Sequence, residues 1–348
     1  MPMSIFDLVQ ATELTSYWEE HTQDMPPYLG EELFPADKKL GLKLEWLKGA
    51  KGLPLVLKPS AFDAGAVPRP RLAFDKLETN MPFFKESTYI DEELRQELNM
   101  VLETGNQEYI DAVVRRIFDD ETYLLDGARA RREQMRMMAL TTGAITISAN
   151  GQVYSYDYGL PDSHKVDSSV SWTNPSSDPI GDLRAWQDKI EDDTGVRPTR
   201  GMLTRKTWGY LRQNQSILKS IFVLSNGQVS ALSDNRLSQY LLDELNLELL
   251  VYNKKYKADD GSTAQFMPDD TVVLFPSGDL GKTWFGTTPE ESDLMGNMAN
   301  NVSITDTGVA VTTMKKADPV NVETKVTMIC MPSFEMADQV LIADVNPS

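Results

Sequence analysis

Residues 131–159 have the sequence RREQMRMMALTTGAITISANGQVYSYDYG. It begins as a charged helix that carries Met135 and Met138, and it then reaches Gly143. Glycine fits the left-handed position at which helices commonly end. Residues 144–148 alternate between apolar and polar side chains, which is typical of a half-buried strand. The sequence therefore predicts a long helix that runs directly into a hairpin over residues 144–158.

Helical periodicity extends from this stretch back to residue 91, and Gly105 separates a short first helix from a longer second one. The apolar side chains that begin the second helix recur three and four residues apart: Ile110, Val113, Val114 and Ile117. This second helix is predicted to span about 30 residues, or roughly 45 Å. Gly127 is a position at which it can bend.

Two N-terminal segments have too few apolar residues for cores of their own. Residues 3–20 are predicted to form a short amphipathic helix, and prolines that follow it set this helix apart as an arm. Residues 39–57 are predicted to form a hairpin, because leucines and Trp46 alternate around a Lys-Gly-Ala-Lys-Gly turn. An isolated hairpin is marginally stable in water, so both segments are expected to pack on something else.

The second half of the chain has the pattern of a mixed α/β region. Helices are predicted at residues 182–193, 205–213 and 235–245, and strands at residues 247–252 and 271–275. Residues 321–345 alternate again and predict closing strands.

The composition indicates a folded and strongly acidic protein. The 348 residues carry 34 Lys and Arg against 52 Asp and Glu, a formal net charge of −18, which argues against specific nucleic-acid binding. Cys330 is the single cysteine, so an internal disulfide and a multi-cysteine zinc site are excluded, and we expect it to be buried. The first twenty residues lack the pattern of a secretory signal, and no stretch has the apolar length of a membrane span. Reducing, cytoplasm-like conditions and no membrane partner are therefore expected.

A nucleotide-dependent enzyme is the catalytic alternative, because Lys282 and Thr283 follow an apolar strand and Gly281 as they would in a phosphate-binding loop. The loop motif requires a glycine where this sequence has Pro276, which lacks an amide hydrogen. A plain turn at the exit of the strand is predicted instead.

Other residues that could carry chemistry are predicted to be solvated. Adjacent acidic pairs lie at residues 119–120, 192–193, 259–260 and 269–270. His21 and His164 are the only histidines, and both are predicted to lie at the surface. No catalytic residue, cofactor or metal site is therefore expected.

The order of these elements, together with particular stretches, resembles the lambda-type major capsid (E) family of tailed bacteriophages. The stretches are MPFFKESTYIDEEL at 81–94, ALTTGAITI at 139–147 with YDYG at 156–159, SWTNPSSDPIGDLRAWQDKI at 171–190, FMPDDTVVLFP at 266–276 and MPSFEMADQVLIADV at 331–345. The resemblance covers nearly the whole chain.

The resemblance implies an α+β chain with the Hong Kong-type phage capsid fold. Its parts would be an N-terminal arm at 1–37, an extended loop (the E-loop) at 38–85, a peripheral domain with the spine helix at 86–170, an axial α/β domain at 171–316 and a return to the peripheral domain at 317–348. The long helix and its hairpin would then form the rigid edge of a tile.

The resemblance also implies a structural function without catalysis. Such a protein assembles with itself, through hexamers and pentamers, into the icosahedral head shell of the virion, which encloses packaged double-stranded DNA without sequence-specific contact. Assembly is expected in the host cytoplasm, and a decoration protein, a scaffold and a portal are the further partners that the family suggests. The structural alternative is a portal or tail-tube component, which would assemble into a ring or a tube.

Eight residues are candidates for contacts between subunits. Those of the E-loop have little partner surface nearby in the sequence, and the arginines of the spine helix are expected on its exposed side. The candidates are Leu42, Leu44, Trp46, Arg69, Arg71, Arg129, Arg131 and Arg132.

Overall fold

The computed structural model describes residues 9–23, 25–48, 75–90, 92–104, 106–149, 151–222, 232–258, 260–295, 301–317 and 320–347. The helices in these stretches are α1 (Ala11–Thr22), α2 (Leu29–Leu33), α3 (Glu92–Thr104), α4 (Gln107–Thr142), α5 (Pro179–Thr194), α6 (Arg205–Gln213), α7 (Gln215–Ile221), α8 (Asp234–Leu245) and α9 (Pro289–Met295). The strands are β1 (Ala36–Lys38), β2 (Lys43–Lys48), β3 (Asp75–Asn80), β4 (Phe83–Ile90), β5 (Ala144–Ala149), β6 (Gln152–Asp157), β7 (Lys165–Asp167), β8 (Arg200–Leu203), β9 (Glu248–Val251), β10 (Lys255–Lys257), β11 (Thr263–Gln265), β12 (Thr271–Phe275), β13 (Thr283–Phe285), β14 (Val302–Thr305), β15 (Val309–Ala317), β16 (Val320–Pro332) and β17 (Leu341–Asp344).

Contacts divide the chain into two compact units, each built from three separate segments. The first unit comprises residues 1–44, 78–135 and 282–333, and the second comprises residues 45–77, 136–281 and 334–348. These boundaries do not coincide with those of the predicted domains, which stay a prediction. Strands β14 and β15 belong to the first unit although residues 171–316 were predicted as axial, and β17 belongs to the second unit although 317–348 was predicted to return to the peripheral domain. The reason is strand pairing between distant segments, which local periodicity does not report.

The first unit is built around the thirteen-residue strand β16. Antiparallel β15 pairs with it from Val309 opposite Met328 to Ala317 opposite Val320. Antiparallel β4 also pairs with β16. The last residues of β16 pair with β13, which is antiparallel to it as well. The sheet order is β1-β13-β16-β15-β14, with β4 paired to β16.

The N-terminal arm packs on this sheet within its own chain. Helix α1 contacts β14 and β15, and the hydroxyl groups of Thr15 and Ser303 lie 2.9 Å apart. The predicted helix at 3–20 is thus α1, which begins at Ala11, and residues 3–8 of the prediction lie outside the described part of the chain. One apolar cluster joins the arm, β4, α4 and β16: Val9, Leu14, Ile90, Ile117, Phe118 and Val322. The surface that the arm was expected to pack on is therefore, for α1, the sheet of its own subunit.

The spine helix α4 has 36 residues, which is roughly 54 Å at 1.5 Å per residue and more than predicted. It passes through Gly127 without ending. Ile117 of the predicted apolar face is buried, whereas Val113 and Val114 pack half-buried against the same cluster. Gly143 ends the helix in the left-handed conformation, with φ at 76°, and its carbonyl accepts a hydrogen bond from the amide of Tyr158. The helix-to-hairpin junction is therefore confirmed, with β5 and β6 paired from Ala144 to Asp157.

The second unit contains a five-stranded mixed sheet in the order β7-β17-β12-β8-β9. Its core includes the stacked rings of Trp172 and Trp186, whose centroids lie 5.7 Å apart. The Oδ2 atom of Asp182 accepts a hydrogen bond from Nε1 of Trp172, and Asp178 caps the N-terminus of α5. The predicted helices at 182–193, 205–213 and 235–245 and the strand at 271–275 are confirmed, and α7 was not predicted.

Two predictions about burial have different outcomes. Cys330 is buried, as expected. His164 was predicted at the surface and is instead buried, with its Nε2 atom 3.0 Å from Oδ2 of Asp193. Asp193 lies on α5, 29 residues after His164 in the sequence. The residues around His164 therefore did not indicate this partner.

Candidate assembly surfaces

The described part of the predicted E-loop is a two-stranded ribbon of β2 and β3. The sequence predicted residues 53–57 as the partner of β2, and these residues lie outside the described part of the chain. Near the base of the ribbon, the amide of Met81 donates to the carbonyl of Leu42 over 2.9 Å. Leu40 and Leu42 are exposed there, with 76% and 53% of their surface accessible. Leu42 therefore stays a candidate for contact with a second subunit.

Trp46 lies in a cluster of aromatic rings within the second unit. Its ring centroid is 5.5 Å from that of Tyr156 and 5.9 Å from that of Tyr158, and Tyr158 in turn contacts Phe334. Only 6% of the surface of Trp46 is exposed, and Leu44 is fully buried. The prediction that these two side chains need an adjacent subunit is wrong, because their own chain supplies the partners. Arg69 and Arg71 lie outside the described residues.

Arg129 was predicted on the exposed side of α4 and is instead buried against α2. Its Nε and Nη2 atoms donate to the two carboxylate oxygens of Glu31 over 2.8 and 3.0 Å. Its guanidinium also lies 5.0 Å from the ring centre of Tyr28. The hydrogen bonds with Glu31 raise the pKa of Arg129 above its ordinary value, so a permanent ion pair attaches α2 to the spine helix.

Arg132 is buried as well, with 3% of its surface exposed. It forms an ion pair with Asp306 in the turn between β14 and β15, and its guanidinium lies 5.5 Å from the ring centre of Phe285. Arg131 is half-buried, and its Nη1 atom donates to Gln134 over 2.6 Å. The expectation of an exposed arginine face is therefore wrong for Arg129 and Arg132, because α2 and the β14–β15 turn cover that part of the helix.

The first half of α4 has the exposed surface that its second half lacks. Tyr109 and Tyr123 are exposed to 63% and 66%. Met100 on α3 is exposed to a similar extent, and Arg116 of α4 lies 3.7 Å from Glu97 of α3. Both helices thus carry large exposed side chains that the sequence pattern did not indicate.

Lys282 and Thr283, the residues of the enzyme alternative, make structural contacts within the first unit. The Nζ atom of Lys282 lies 2.5 Å from Oδ2 of Asp37, and the buried hydroxyl of Thr283 donates to the carbonyl of Phe34 over 2.9 Å. Residues 276–282 connect β12 to β13, which confirms the predicted turn. The described residues do not gather three or more histidine, cysteine or acidic side chains in an arrangement that could hold a metal ion.

Solved structures with a similar fold cover almost the whole chain. A protein described as a prophage capsid protein of E. coli CFT073 is 15% identical, with a TM-score of 0.62 over 97% of this chain and 99% of that one. A phage-related protein of Bordetella bronchiseptica RB50 is 13% identical, with a TM-score of 0.55 over 96% and 97%. The capsid protein of cyanophage A-1(L) is 11% identical, with a TM-score of 0.53 over 92% of each chain. At these identities the likeness shows the fold, which is the Hong Kong-type capsid fold.

No curated protein matches this sequence. Among the described residues, we find no helix with both the length and the apolar character that a membrane crossing requires. The family model described as phage major capsid protein E matches residues 10–345. Its members are structural proteins of the virion shell and are not enzymes. The chain therefore belongs to the phage major capsid protein E family, and it is a structural protein that assembles with copies of itself into a capsid shell.

Proposed function

We propose that this capsid protein closes into an icosahedral head shell of hexamers and pentamers around packaged double-stranded DNA. The main support for the proposal comes from the base of the E-loop. There Trp46 is fixed among the rings of Tyr156 and Tyr158, whereas Leu40 and Leu42 are exposed. A loop that is anchored on its own chain and has exposed leucines at its base suits contact with a neighbouring subunit, which would bury this apolar surface.

The proposal assigns a role to each compact unit. The first unit, with the long sheet and most of the spine helix, acts as the peripheral domain, and the second unit, with the five-stranded sheet, acts as the axial domain. Leu42, Arg69 and Arg71 are the E-loop residues that we propose contact a neighbour. Arg131, which is half-buried, is the remaining candidate on the helix.

The net charge of −18 supports a shell that holds DNA without specific contacts. A negatively charged inner wall repels phosphates, so the nucleic acid would fill the head without adhering to it. Assembly would take place in the host cytoplasm. A scaffold, a portal and a decoration protein are the additional partners that we propose.

Electron microscopy of the purified full-length protein tests this proposal. Closed shells with five-fold and six-fold capsomers are the expected result. Rings or tubes with one rotational symmetry would instead support a portal or tail-tube component. A thermal-shift titration with ATP provides the control for the enzyme alternative. We expect no change in the melting temperature, because Lys282 is paired with Asp37 and the hydroxyl of Thr283 donates to the carbonyl of Phe34.

A further inference from the structure

Glu121 places a carboxyl group inside the contact between the spine helix and the sheet of the first unit. It follows Ile117 by one helical turn, and only 4% of its surface is exposed. The hydroxyl of Thr324 on β16 faces it. Oε2 of Glu121 and Oγ1 of Thr324 both lack a hydrogen-bond partner among the described residues. A polar group in such a site costs free energy, so the stability of the subunit gives no reason for a carboxyl group here.

The sheet opposite Glu121 presents a row of threonines. Thr324 pairs with Thr313 on β15 and with Thr88 on β4, and side chains that pair directly across strands lie on the same face of a sheet. A hydroxyl oxygen such as that of Thr324 can accept a hydrogen bond from a protonated carboxyl group. Burial raises the pKa of Glu121 to about 7, and the hydroxyl of Thr324 offsets only part of this rise. The interface therefore favours the protonated form.

Few charges act on this site. Asp120, the preceding residue on α4, is the charged side chain that adds to the rise in the pKa of Glu121. The titratable groups that the packed elements present beside this contact are exposed or paired: Lys315 on β15, Glu86 on β4, Tyr17 on α1 and Glu97 on α3. The protonation of Glu121 is therefore controlled mainly by its own burial.

The helical segment before Glu121 is weakly packed. Among the described side chains of residues 92–116, which include α3 and the start of α4, none is buried. The second half of α4 is held by the buried ion pairs of Arg129 and Arg132. Segments with few buried contacts open locally at a lower free energy than the rest of a domain. Glu121 thus lies at the boundary between a weakly packed and a firmly packed part of α4.

We propose that Glu121 is a proton-dependent latch on the segment formed by residues 92–121. While the carboxyl group carries its proton, the segment stays closed on the sheet. Release of the proton to solvent favours a locally opened state in which the carboxylate is hydrated. Met100 and Tyr109 are exposed on this segment, so the pH sets the fraction of subunits that present these side chains in their folded arrangement. The inference goes beyond the proposed function, because it concerns the subunit alone and does not depend on shell assembly.

Amide hydrogen exchange of the unassembled full-length protein tests the latch. Peptides from residues 92–121, from residues 129–142 and from α5 are measured at pH 5.5 and 7.5 by mass spectrometry. After correction for the intrinsic exchange rate at each pH, we expect the protection of residues 92–121 to fall about twentyfold between these pH values. This factor follows from a pKa of about 7 in the closed state and an ordinary value of 4.5 in the opened state. Residues 129–142 and α5 should keep their protection.

Three variants, each checked for folding by circular dichroism, separate the latch from other titrating groups. Glu121→Gln keeps the shape of the side chain and does not titrate, so the protection of residues 92–121 should be the same at both pH values. Thr324→Val removes the hydroxyl that offsets the rise in the pKa, so the pH at which protection stops falling should move upward. Glu108→Gln changes an exposed acidic residue on the same helix, and as the matched control it should keep the wild-type response.

The outcomes separate a local latch from an effect on the whole subunit. An equal fall in protection in all three regions would show that Glu121 acts only on global unfolding, and it would overturn the proposal. A pH response that Glu121→Gln retains, or one that Glu108→Gln loses, would overturn it as well. Protection of residues 92–121 that does not change between the two pH values would do the same.

Discussion

Arg129 on the spine helix holds both carboxylate oxygens of Glu31, through Nε at 2.8 Å and Nη2 at 3.0 Å. The guanidinium group is nearly buried, whereas the carboxylate is about one third exposed. This pair attaches α2 to α4, and Gly30 adds a second attachment by donating its amide hydrogen to Oε1 of Glu133 over 3.2 Å. The link between α2 and the spine helix is thus an electrostatic one in a partly desolvated site.

We therefore expect Glu31→Gln to lower the free energy of unfolding by about 1–3 kcal/mol, because a charged and buried donor loses its charged acceptor. Urea denaturation measures the change. The matched control is Glu244→Gln, which breaks the exposed pair of Glu244 with Arg184. Exposed pairs contribute about 0–1 kcal/mol, so an equal loss in both variants would contradict this assignment.

Replacing Ile117 by aspartate should prevent folding of the first unit. Ile117 is 1% exposed in the cluster that joins α1, β4, α4 and β16, and an unpaired carboxylate there costs several kcal/mol, comparable with a total stability of about 5–15 kcal/mol. Circular dichroism would show the loss of helix. Tyr123→Asp places the same group on the exposed side of the same helix, and it should stay folded.

Glu121 makes stability depend on pH near neutrality. Burial raises the pKa of its carboxyl group to about 7 from an ordinary value of 4.5, and the nearby charge of Asp120 adds to the rise. Its Oε2 atom has no hydrogen-bond partner among the described residues. Between these two pKa values the folded state holds the proton and the unfolded state releases it, so stability falls as pH rises from about 4.5 to about 7 and is constant above that range.

The variant Glu121→Gln tests this dependence, because glutamine keeps the shape and removes the titration. We expect it to be more stable than the wild type above about pH 7, by on the order of 2–3 kcal/mol, and to lose the slope between about pH 5 and 7. Denaturant midpoints measured across that range provide the comparison. An unchanged slope in the variant would mean that another group titrates.

Substitutions at Trp46 and Leu42 should distinguish an effect on folding from an effect on assembly. Trp46→Ala empties a site among aromatic rings and is expected to cost about 3–5 kcal/mol. Leu42→Ala removes an exposed side chain, and we expect the subunit to keep its melting temperature and to form shells less readily. Sedimentation of the assembly mixture measures the second effect. A large loss of stability in Leu42→Ala would show that this leucine belongs to the fold of its own chain.

Deleting the tip of the E-loop, Pro59 to Pro70, should give a soluble, folded monomer that no longer assembles. The deletion spares the residues of the ring cluster around Trp46 and removes Arg69, one of the contact candidates of the E-loop. Gel filtration reports the monomer, and electron microscopy reports the shells. Intact shells from the deletion variant would contradict a role for the tip in assembly.

The sequence predicted elements that depend on neighbours within one turn or one hairpin. The exit of α4 at Gly143 and the strand alternation that follows it are local properties, and both are present in the structure. The burial of Arg129 and Arg132 was missed because their acidic partners lie 98 and 174 residues away in the sequence. A run of arginines on a helix is most often solvated, and only the fold brings Glu31 and Asp306 to them.

The candidates for contacts between subunits show the same difference between local pattern, which the sequence reports, and long-range packing, which it does not. Leu42 and Trp46 belong to one alternating pattern, yet Leu42 is exposed and Trp46 is buried against Tyr156 and Tyr158. Alternation indicates that a segment has an apolar side, but it does not indicate which chain covers that side. The exposed tyrosines of α4, Tyr109 and Tyr123, were overlooked for a related reason, because sequence periodicity reveals the buried face of a helix more readily than its exposed one.

The pairing of β4 with β16 also constrains the time at which the protein can fold. Ile90 pairs with Val322, which is 232 residues later in the chain. During synthesis, the early strand therefore cannot pair with β16 until 232 further residues have been translated. Until then the sheet that supports the arm and the spine is incomplete, so a nascent chain does not yet have an intact subunit surface. We therefore expect a subunit to become competent for shell assembly only after β16 has been translated.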